Sequence, residues 1–259
     1  MTTASSPRED LVEGQWVSAT GLARGLKRLR AERSGEDSMV CARGAGEAGP
    51  GMWGPARAHV FATAVRSAQG SALIASFDRG HIETQIQTYP GVGVLVVHGF
   101  HRFKDSSGQA GYFTREFFVP DDGRDAEPGK PGIPHRPGSH DPAALTGTWR
   151  ALTPAVSQIA TLECFLSDGQ LRARAEARAG TGSNRLTDWG EAAAHVYADA
   201  HHPDDPPAFL TKFEHDGIGV HVQARANRGV LVVCEYTEFS DDSGRRDHFL
   251  RECYQLDHS

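Results

Sequence analysis

One seventeen-residue phrase occurs twice in this chain in related forms, and this repeat constrains the fold more than any other feature. RFKDSSGQAGYFTREFF begins at Arg102 and EFSDDSGRRDHFLRECY begins at Glu238. When the chain is shifted by 136 positions against itself, 52–118 aligns without a gap on 188–254, and 24 of the 67 positions are identical. Such a match is typical of a tandem duplication, so we predict two copies of a unit of roughly 110 residues.

The repeat divides the chain into two predicted domains, 11–119 and 145–256, called the first and the second repeat below. Between them, 120–144 is rich in Pro, Gly and charged residues and has no apolar periodicity, which is typical of a linker. Residues 1–10 are predicted to be a disordered tail. A hydrophobic content of 39% is enough for two ordinary cores.

Both repeats are predicted to be all-β, because runs rich in Val, Ile, Phe, Tyr and Thr alternate with Gly, Asp and Ser. In the first repeat the predicted strands lie near 12–17, 26–33, 39–42, 57–65, 71–78, 82–89, 94–103 and 109–119. In the second they lie near 148–151, 158–166, 171–177, 193–199, 208–214, 220–225, 230–239 and 245–256. The run 26–33 is also compatible with a short helix, and 105–108 and 241–244 are predicted hairpin turns.

Eight successive strands in a unit of this size favour a closed, antiparallel up-and-down β-barrel, because closure removes the exposed strand edges. The predicted fold is therefore two tandem barrels joined by the linker. An eight-stranded barrel is filled by side chains or holds one small ligand. Apolar residues on both faces of the last strands predict that the two barrels dock against each other within the chain.

Each repeat opens with Gly-Xaa-Trp, which ends at Trp16 and Trp149, and carries an arginine in its last predicted strand, Arg115 and Arg251. In these features the chain resembles the calycin superfamily of lipocalins, fatty-acid-binding proteins and their relatives. The segment LTGTW also resembles the first strand of avidin-type barrels. The resemblance implies that each guanidinium lies over the indole and closes one end of a calycin-like barrel. It also implies a small-molecule ligand.

Charge and hydropathy argue against several partners. The net charge is −6 and the arginines are scattered, so we expect no nucleic-acid partner. No apolar run approaches the ~20 residues of a membrane helix, and the opening MTTASSPREDL has no apolar signal core, so we expect a cytoplasmic protein without a membrane span. The chain has no phosphate loop, dinucleotide fingerprint, HExxH or Cys-Xaa-Xaa-Cys motif, so we predict neither a cofactor nor a metal.

One histidine position is kept in both repeats, as His59 and His195. Each shares a strand face with an aromatic residue, Phe61 or Tyr197. No additional histidine or carboxylate accompanies either one in a ligand pattern, so a metal site is not predicted. Two interpretations stay open: a hydrogen-bonded strand histidine, or a polar anchor or general base in the barrel interior.

Polar residues alternate along 82–89 and along its counterpart. Gln87 matches Gln223, whereas Glu83 corresponds to Gly219. This alternation is typical of a solvated face, but it also suits polar groups that orient a ligand inside an apolar pocket. If these residues point inward, the two interiors differ in chemistry.

Trp53 and Trp189 each follow a Gly-rich segment that suits a lid over a barrel mouth. Each indole either packs beneath the barrel or offers a ligand a stacking surface at the rim. Asp188, beside the second tryptophan, has no acidic counterpart in the first repeat. Any acid–base chemistry is therefore predicted for the second repeat.

The leading hypothesis is the binding of a small apolar or amphipathic, lipophilic molecule in a barrel interior. Its predicted contacts are Trp53, Trp189, His59, Gln87, Gln223, Tyr197 and Phe61. The alternative is a cofactor-independent cyclase or isomerase of natural-product biosynthesis, which confines a polyketide- or terpenoid-like substrate and uses one acid or base. The candidates for that role are His195, Asp188 and Glu83. A purely structural pair of barrels and a carbohydrate-binding module remain further alternatives.

Overall fold

A computed structural model describes most of both repeats. The described residues are 13–19, 25–35, 37–44, 52–63, 70–105, 108–121, 141–154, 157–178, 185–200, 207–241 and 244–258. The predicted tail 1–10, most of the predicted linker, the Gly-rich segments 45–51 and 179–184, and the centres of the two predicted turns lie outside them. The domain boundaries therefore stay predictions.

The described chain is all-β, which confirms the predicted class. The strands of the first repeat are β1 (Gly14–Ser18), β2 (Leu26–Ser34), β3 (Asp37–Gly44), β4 (Trp53–Ala62), β5 (Gly70–Asp78), β6 (Ile82–Pro90), β7 (Leu95–Phe103) and β8 (Tyr112–Pro120). A 3₁₀ turn at Pro142–Leu145 precedes the second repeat. Its strands are β9 (Gly147–Ala151), β10 (Ile159–Ser167), β11 (Gln170–Arg178), β12 (Leu186–Ala193), β13 (His195–Asp199), β14 (Ala208–His215), β15 (Ile218–Asn227), β16 (Val230–Phe239) and β17 (His248–Leu256).

The seventeen strands belong to one hydrogen-bonded sheet. Strands β1 to β8 pair antiparallel in chain order, and β8 also pairs with β1. In the second repeat β9 to β12 and β13 to β17 pair in order, and β17 also pairs with β9. Two short parallel pairings, β8 with β13 and β4 with β17, connect the repeats.

Most predicted strands agree with the observed ones to within a few residues. The segment that was also compatible with a helix is strand β2. The main difference is at the predicted strand 193–199, because the chain is already extended from Leu186 and is interrupted only at Ala194. Trp189 therefore lies within strand β12 and not after a loop.

Alternation along the strands sends side chains to two kinds of core. One face of each repeat forms its own interior cluster, with Val60, Phe77 and Phe118 in the first and Trp189 and Tyr254 in the second. The opposite faces meet between the repeats. The inter-repeat clusters are Phe61, Ala72, Ile74, Tyr89, Val96, Cys234, Tyr236 and Phe249, and Phe100, Phe113, Tyr197 and Ala208.

The contacts between the repeats occur in pairs that the shift of 136 positions relates. Ala62 N donates to Asp247 O at 2.9 Å, and its equivalent Ala198 N donates to Gly111 O at 3.0 Å. Such reciprocity, in which residue i contacts j and the equivalent of j contacts the equivalent of i, is the signature of a two-fold interface.

The aromatic contacts obey the same relation. The Phe61 and Tyr236 rings are 5.2 Å apart at an interplanar angle of 73°, and the equivalent Tyr197 and Phe100 rings are 5.2 Å apart at 71°. The two repeats therefore meet through approximately the same surface.

The calycin resemblance implies that the arginine contacts the first-strand tryptophan, and this expectation is wrong. Trp16 pairs with Pro120, five residues beyond Arg115, which is roughly 17 Å along an extended strand. The Arg115 guanidinium instead lies 4.8 Å from the ring centroid of Phe117. In the second repeat Trp149 pairs with Leu256 and donates from Nε1 to Leu145 O at 3.0 Å.

Candidate functional site

The first candidate site is a cleft where β4 separates from β5. The two strands pair from Ala58 onward, whereas 53–57 pair only with β3 among the described residues. The local sequence explains the separation, because Pro55 has no N–H to donate to a neighbouring strand. Gly54 has a φ of +97°, and a Cβ there would lie 2.8 Å from Val40 O, so only glycine fits.

This first cleft has a volume of about 1030 Å³ and two kinds of lining. Its inner wall consists of side chains of the first interior cluster or packed against it: Trp53, Ala56, Ala58, Val60, Ala75 and Phe77. Its polar rim includes Arg57, His59, Ser76, Asp78, Arg79 and Asp247. The cleft thus joins the apolar interior of the first repeat to a charged rim.

Trp53 lies where these two linings meet. Its ring stands edge-on to Phe77, with centroids 5.8 Å apart, and the Arg79 guanidinium lies 4.1 Å from its centroid. A large π face held between an aromatic edge and a cation suits the stacking of a flat apolar group.

His59 is held at the rim of the first cleft by two carboxylates of the second repeat. Its Nε2 lies 2.6 Å from Asp247 Oδ2, its Nδ1 lies 3.6 Å from Glu238 Oε1, and its ring stacks on Phe61 at 4.5 Å. Glu238 also accepts from His221 at 2.9 Å, and this hydrogen bond is the main reason that the pKa of Glu238 is lowered to about 2. The predicted strand histidine is therefore part of a charged contact between the repeats.

The second candidate site is a cleft of about 350 Å³ between the repeats. It is lined by Glu83, Gln85, Phe100, Arg102, Ala192, Ala193, His195, Tyr197, Leu210, Thr211, Lys212 and His221. It brings together Glu83, His195 and Tyr197, which the sequence singled out separately. Burial raises the pKa of the Tyr197 hydroxyl, although the nearby Arg102 opposes this shift.

The two clefts are partly the same site at equivalent positions of the two repeats. Six residues of the first cleft have their equivalents in the second: Ala56 and Ala192, Arg57 and Ala193, His59 and His195, Ile74 and Leu210, Ala75 and Thr211, Ser76 and Lys212. The rest of the lining differs. Trp53 lines the first cleft, whereas its equivalent Trp189 is 7% exposed and stacks on His215 at 5.5 Å in the second interior cluster.

Asp188 lies on an exposed strand and lines neither cleft. It forms an ion pair with Arg174 and accepts from Gly190 N at 2.8 Å. These two donors, the arginine first, lower the pKa of its carboxyl to about 2. A carboxyl that is ionised at neutral pH and bound to an arginine is poorly suited to donating a proton.

Gln87 and Gln223 lie between the repeats, so neither faces solvent or the interior cluster of its own repeat. They are 1% and 2% exposed. Gln223 Oε1 lies 3.0 Å from His98 Nδ1 across the interface, whereas the Gln87 amide donates to Gln85 within its own strand at 3.1 Å. Burial lowers the pKa of His98 to about 3, so the ring is neutral.

Two features of the structure were not predicted from the sequence. The first is the pair of cations in the second cleft, Arg102 and Lys212, which no sequence pattern marked as functional. Glu235 was detectable, since it is a charged residue in the apolar run VLVVCEY. It accepts from Tyr254 OH at 2.6 Å and Gln158 N at 2.9 Å, and burial raises the pKa of this carboxyl to about 7.

A scan against family models, a search of curated proteins and a search of solved structures each found no match. Within the described residues no helix has the length and hydrophobicity needed to cross a membrane. The same residues contain no group of three or more His, Cys, Asp or Glu side chains arranged to hold a metal ion.

Proposed function

We propose that this protein binds a small amphipathic molecule in the first cleft. The single observation that carries this proposal is the double lining of that cleft, with interior apolar side chains on one wall and charged side chains on the rim. A volume of about 1030 Å³ is at the upper end of the range for drug-sized ligands. The apolar part of the ligand packs on Trp53 and Phe77, and its polar end remains at the rim near His59.

We also propose that the sheet consists of two eight-stranded, calycin-like barrels and that a tandem duplication produced them. Support comes from the pairing of β8 with β1 and of β17 with β9, and from the reciprocal contacts between the repeats. In this proposal β12 and β13 together are equivalent to β4. The reciprocal contacts are then the docking surface of the two barrels.

The test uses the neutral lipophilic probe N-phenyl-1-naphthylamine, whose fluorescence rises in an apolar site. We expect saturable binding that Trp53→Ala weakens about tenfold or more, since stacking area is lost. Ser76→Phe, at an exposed position of the cleft, blocks the opening and weakens binding similarly. The matched control is Lys212→Phe at the equivalent position of the second cleft, which leaves the affinity unchanged. Equal weakening by both phenylalanine variants would contradict the proposal.

A second candidate function is the cofactor-independent cyclase or isomerase. It is favoured by one observation, the joint presence of Glu83, His195 and Tyr197 in the second cleft. Isomerisation or simple ring closure gives a product of equal mass, and a ring closure by condensation gives one lighter by a molecule of water, so mass-resolved chromatography of a panel of polyketide- and terpenoid-like compounds detects both. The activity is expected to be lost in His195→Gln and kept in His59→Gln.

A further inference from the structure

The second cleft differs from the first in the charges that surround its histidine, and this difference carries an inference that does not depend on the first cleft. We propose that the second cleft binds a small molecule with an anionic group, a carboxylate or a phosphate ester, attached to a flat apolar part. The site is composed of residues from both repeats.

The histidines of the two clefts occupy equivalent positions but have opposite surroundings. His59 faces Asp247 and Glu238 at 2.6 and 3.6 Å. The residues at the equivalent positions beside His195 are Gly111 and Arg102, so two carboxylates are replaced by a glycine and a cation. The His195 side chain has no hydrogen-bond or ion-pair partner among the described residues, and its imidazole is free to donate to an anion.

Two cations line the second cleft, and the ion pairs that they form with Glu83 and Glu214 are accessible to solvent. Arg102 forms an ion pair with Glu83 and has a side chain that is 51% exposed. Lys212 contacts Glu214 at 2.8 Å, and the Glu214 side chain is 72% exposed. Exposed pairs of this kind contribute little to stability, so a ligand anion can replace the carboxylate. An arginine also binds carboxylate and phosphate groups through two parallel hydrogen bonds.

The remaining acidic group near this cleft is already neutralised. Glu238 does not line the cleft, and it contacts His221, His59 and Lys212 at 2.9, 3.6 and 3.6 Å. Glu238 is therefore bound by groups of both repeats, His59 of the first and His221 and Lys212 of the second. Inside the cleft, Arg102 and Lys212 are the lining cations, and Glu83 is the carboxylate that a ligand displaces.

The apolar part of the ligand is defined by the apolar residues that line the cleft. Phe100 and Tyr197 stand edge to face with centroids 5.2 Å apart, and Leu210 lies beside them in the cleft. A volume of about 350 Å³ is near the lower limit for ligand pockets, which fits one or two rings and excludes a long lipid chain.

The experiment follows the histidine side-chain resonances by NMR at constant ionic strength while benzoate or phenyl phosphate is added. The His195 signals are identified by their loss in His195→Gln. We expect saturable shifts of the His195 signals with both anions and much smaller shifts with benzyl alcohol or benzylamine. Arg102→Glu, which places at this position the residue type found at 238, is expected to weaken binding about tenfold or more.

The charge-matched control is Arg33→Glu on β2, where the arginine is exposed and donates to Gly35 O at 3.1 Å. It changes the net charge equally and is expected to leave binding intact. If Arg102→Glu fails to fold, Lys212→Ala replaces it, with weakening of about threefold or more expected. The proposal is overturned if benzylamine binds as well as benzoate, if the anions give no saturable shift, or if the folded variant binds them as the wild type does.

Discussion

The first and second clefts occupy equivalent places in the two repeats, yet they differ in depth and in charge. The first reaches the interior through Trp53, whereas in the second repeat Trp189 is buried against His215. The histidine of the first is held by carboxylates, and that of the second lines a cleft that also contains Arg102. The two clefts therefore share equivalent strand pairings. They differ in chemistry because the side chains at the β4–β5 separation and at its equivalent differ.

The largest expected effect separates the two tryptophans. Trp189→Ala removes a buried side chain from the second interior cluster and is expected to lower the free energy of unfolding by about 3–5 kcal/mol. Trp53→Ala removes a side chain that is only partly buried and is expected to lower it by about half as much. Urea denaturation measures both losses, and equal losses would contradict the assignment of Trp53 to an open cleft.

The all-β class and most strand positions were predictable from the sequence, because the periodicity that marks a strand is a local signal. The position of Gln87 and Gln223 was not predictable, because alternation places residues on one face of a strand without identifying what covers that face. That face is covered by the other repeat, so polar residues that suggested contact with solvent or a ligand are buried in the interface between the repeats. Trp189 was misplaced for a related reason, since the Gly-rich segment before it obscured the start of β12.

The candidate site was predicted only as separate residues. His195 and Glu83 are 112 positions apart, and only the pairing of the two repeats brings them into one cleft. Arg102 is notable only because its equivalent in the other repeat is Glu238. A pattern within one repeat does not contain that difference. Contacts between repeats are long-range and leave no spacing in the sequence.

The interiors of the two repeats also differ in the carboxylate that binds the backbone at the start of the second strand. In the first repeat Glu116 on β8 accepts from Gly25 N and Leu26 N at 3.1 and 2.7 Å. In the second repeat the equivalent backbone segment is bound by Glu235 on β16, whose equivalent in the first repeat is Gly99. In the second repeat this segment is thus bound from a neighbouring strand, although the equivalent of Glu116 is kept as Glu252.

Burial raises the pKa of Glu235 from 4.5 to about 7, so the folded protein holds a proton that the unfolded chain releases between these values. The contribution of this carboxyl to the free energy of unfolding therefore falls as pH rises from about 4.5 to about 7, by on the order of 3 kcal/mol. The buried imidazoles of His98 and His101, whose pKa values burial lowers to about 3, contribute a change of the opposite sign. The contribution of Glu235 is therefore measured as the difference between the wild type and Glu235→Gln in urea denaturation at pH 5 and pH 8. Glu235→Gln is expected to abolish most of it, whereas Glu163→Gln at an exposed position of β10 keeps it. An unchanged pH profile in Glu235→Gln would show that another group is responsible.

The smallest effect concerns the two glutamines, which are equivalent in sequence but not in their hydrogen bonds. Gln223→Met leaves the buried His98 Nδ1 without its acceptor, so we expect a loss of about 1–3 kcal/mol in the free energy of unfolding. Gln87→Met removes a hydrogen bond within one strand, together with an oxygen that has no partner among the described residues, and less than about 1 kcal/mol is expected. A double-mutant cycle with His98→Phe separates the two cases, because only Gln223 is coupled to that ring. A coupling energy near zero for His98 and Gln223 would mean that this contact does not distinguish the two sides of the interface.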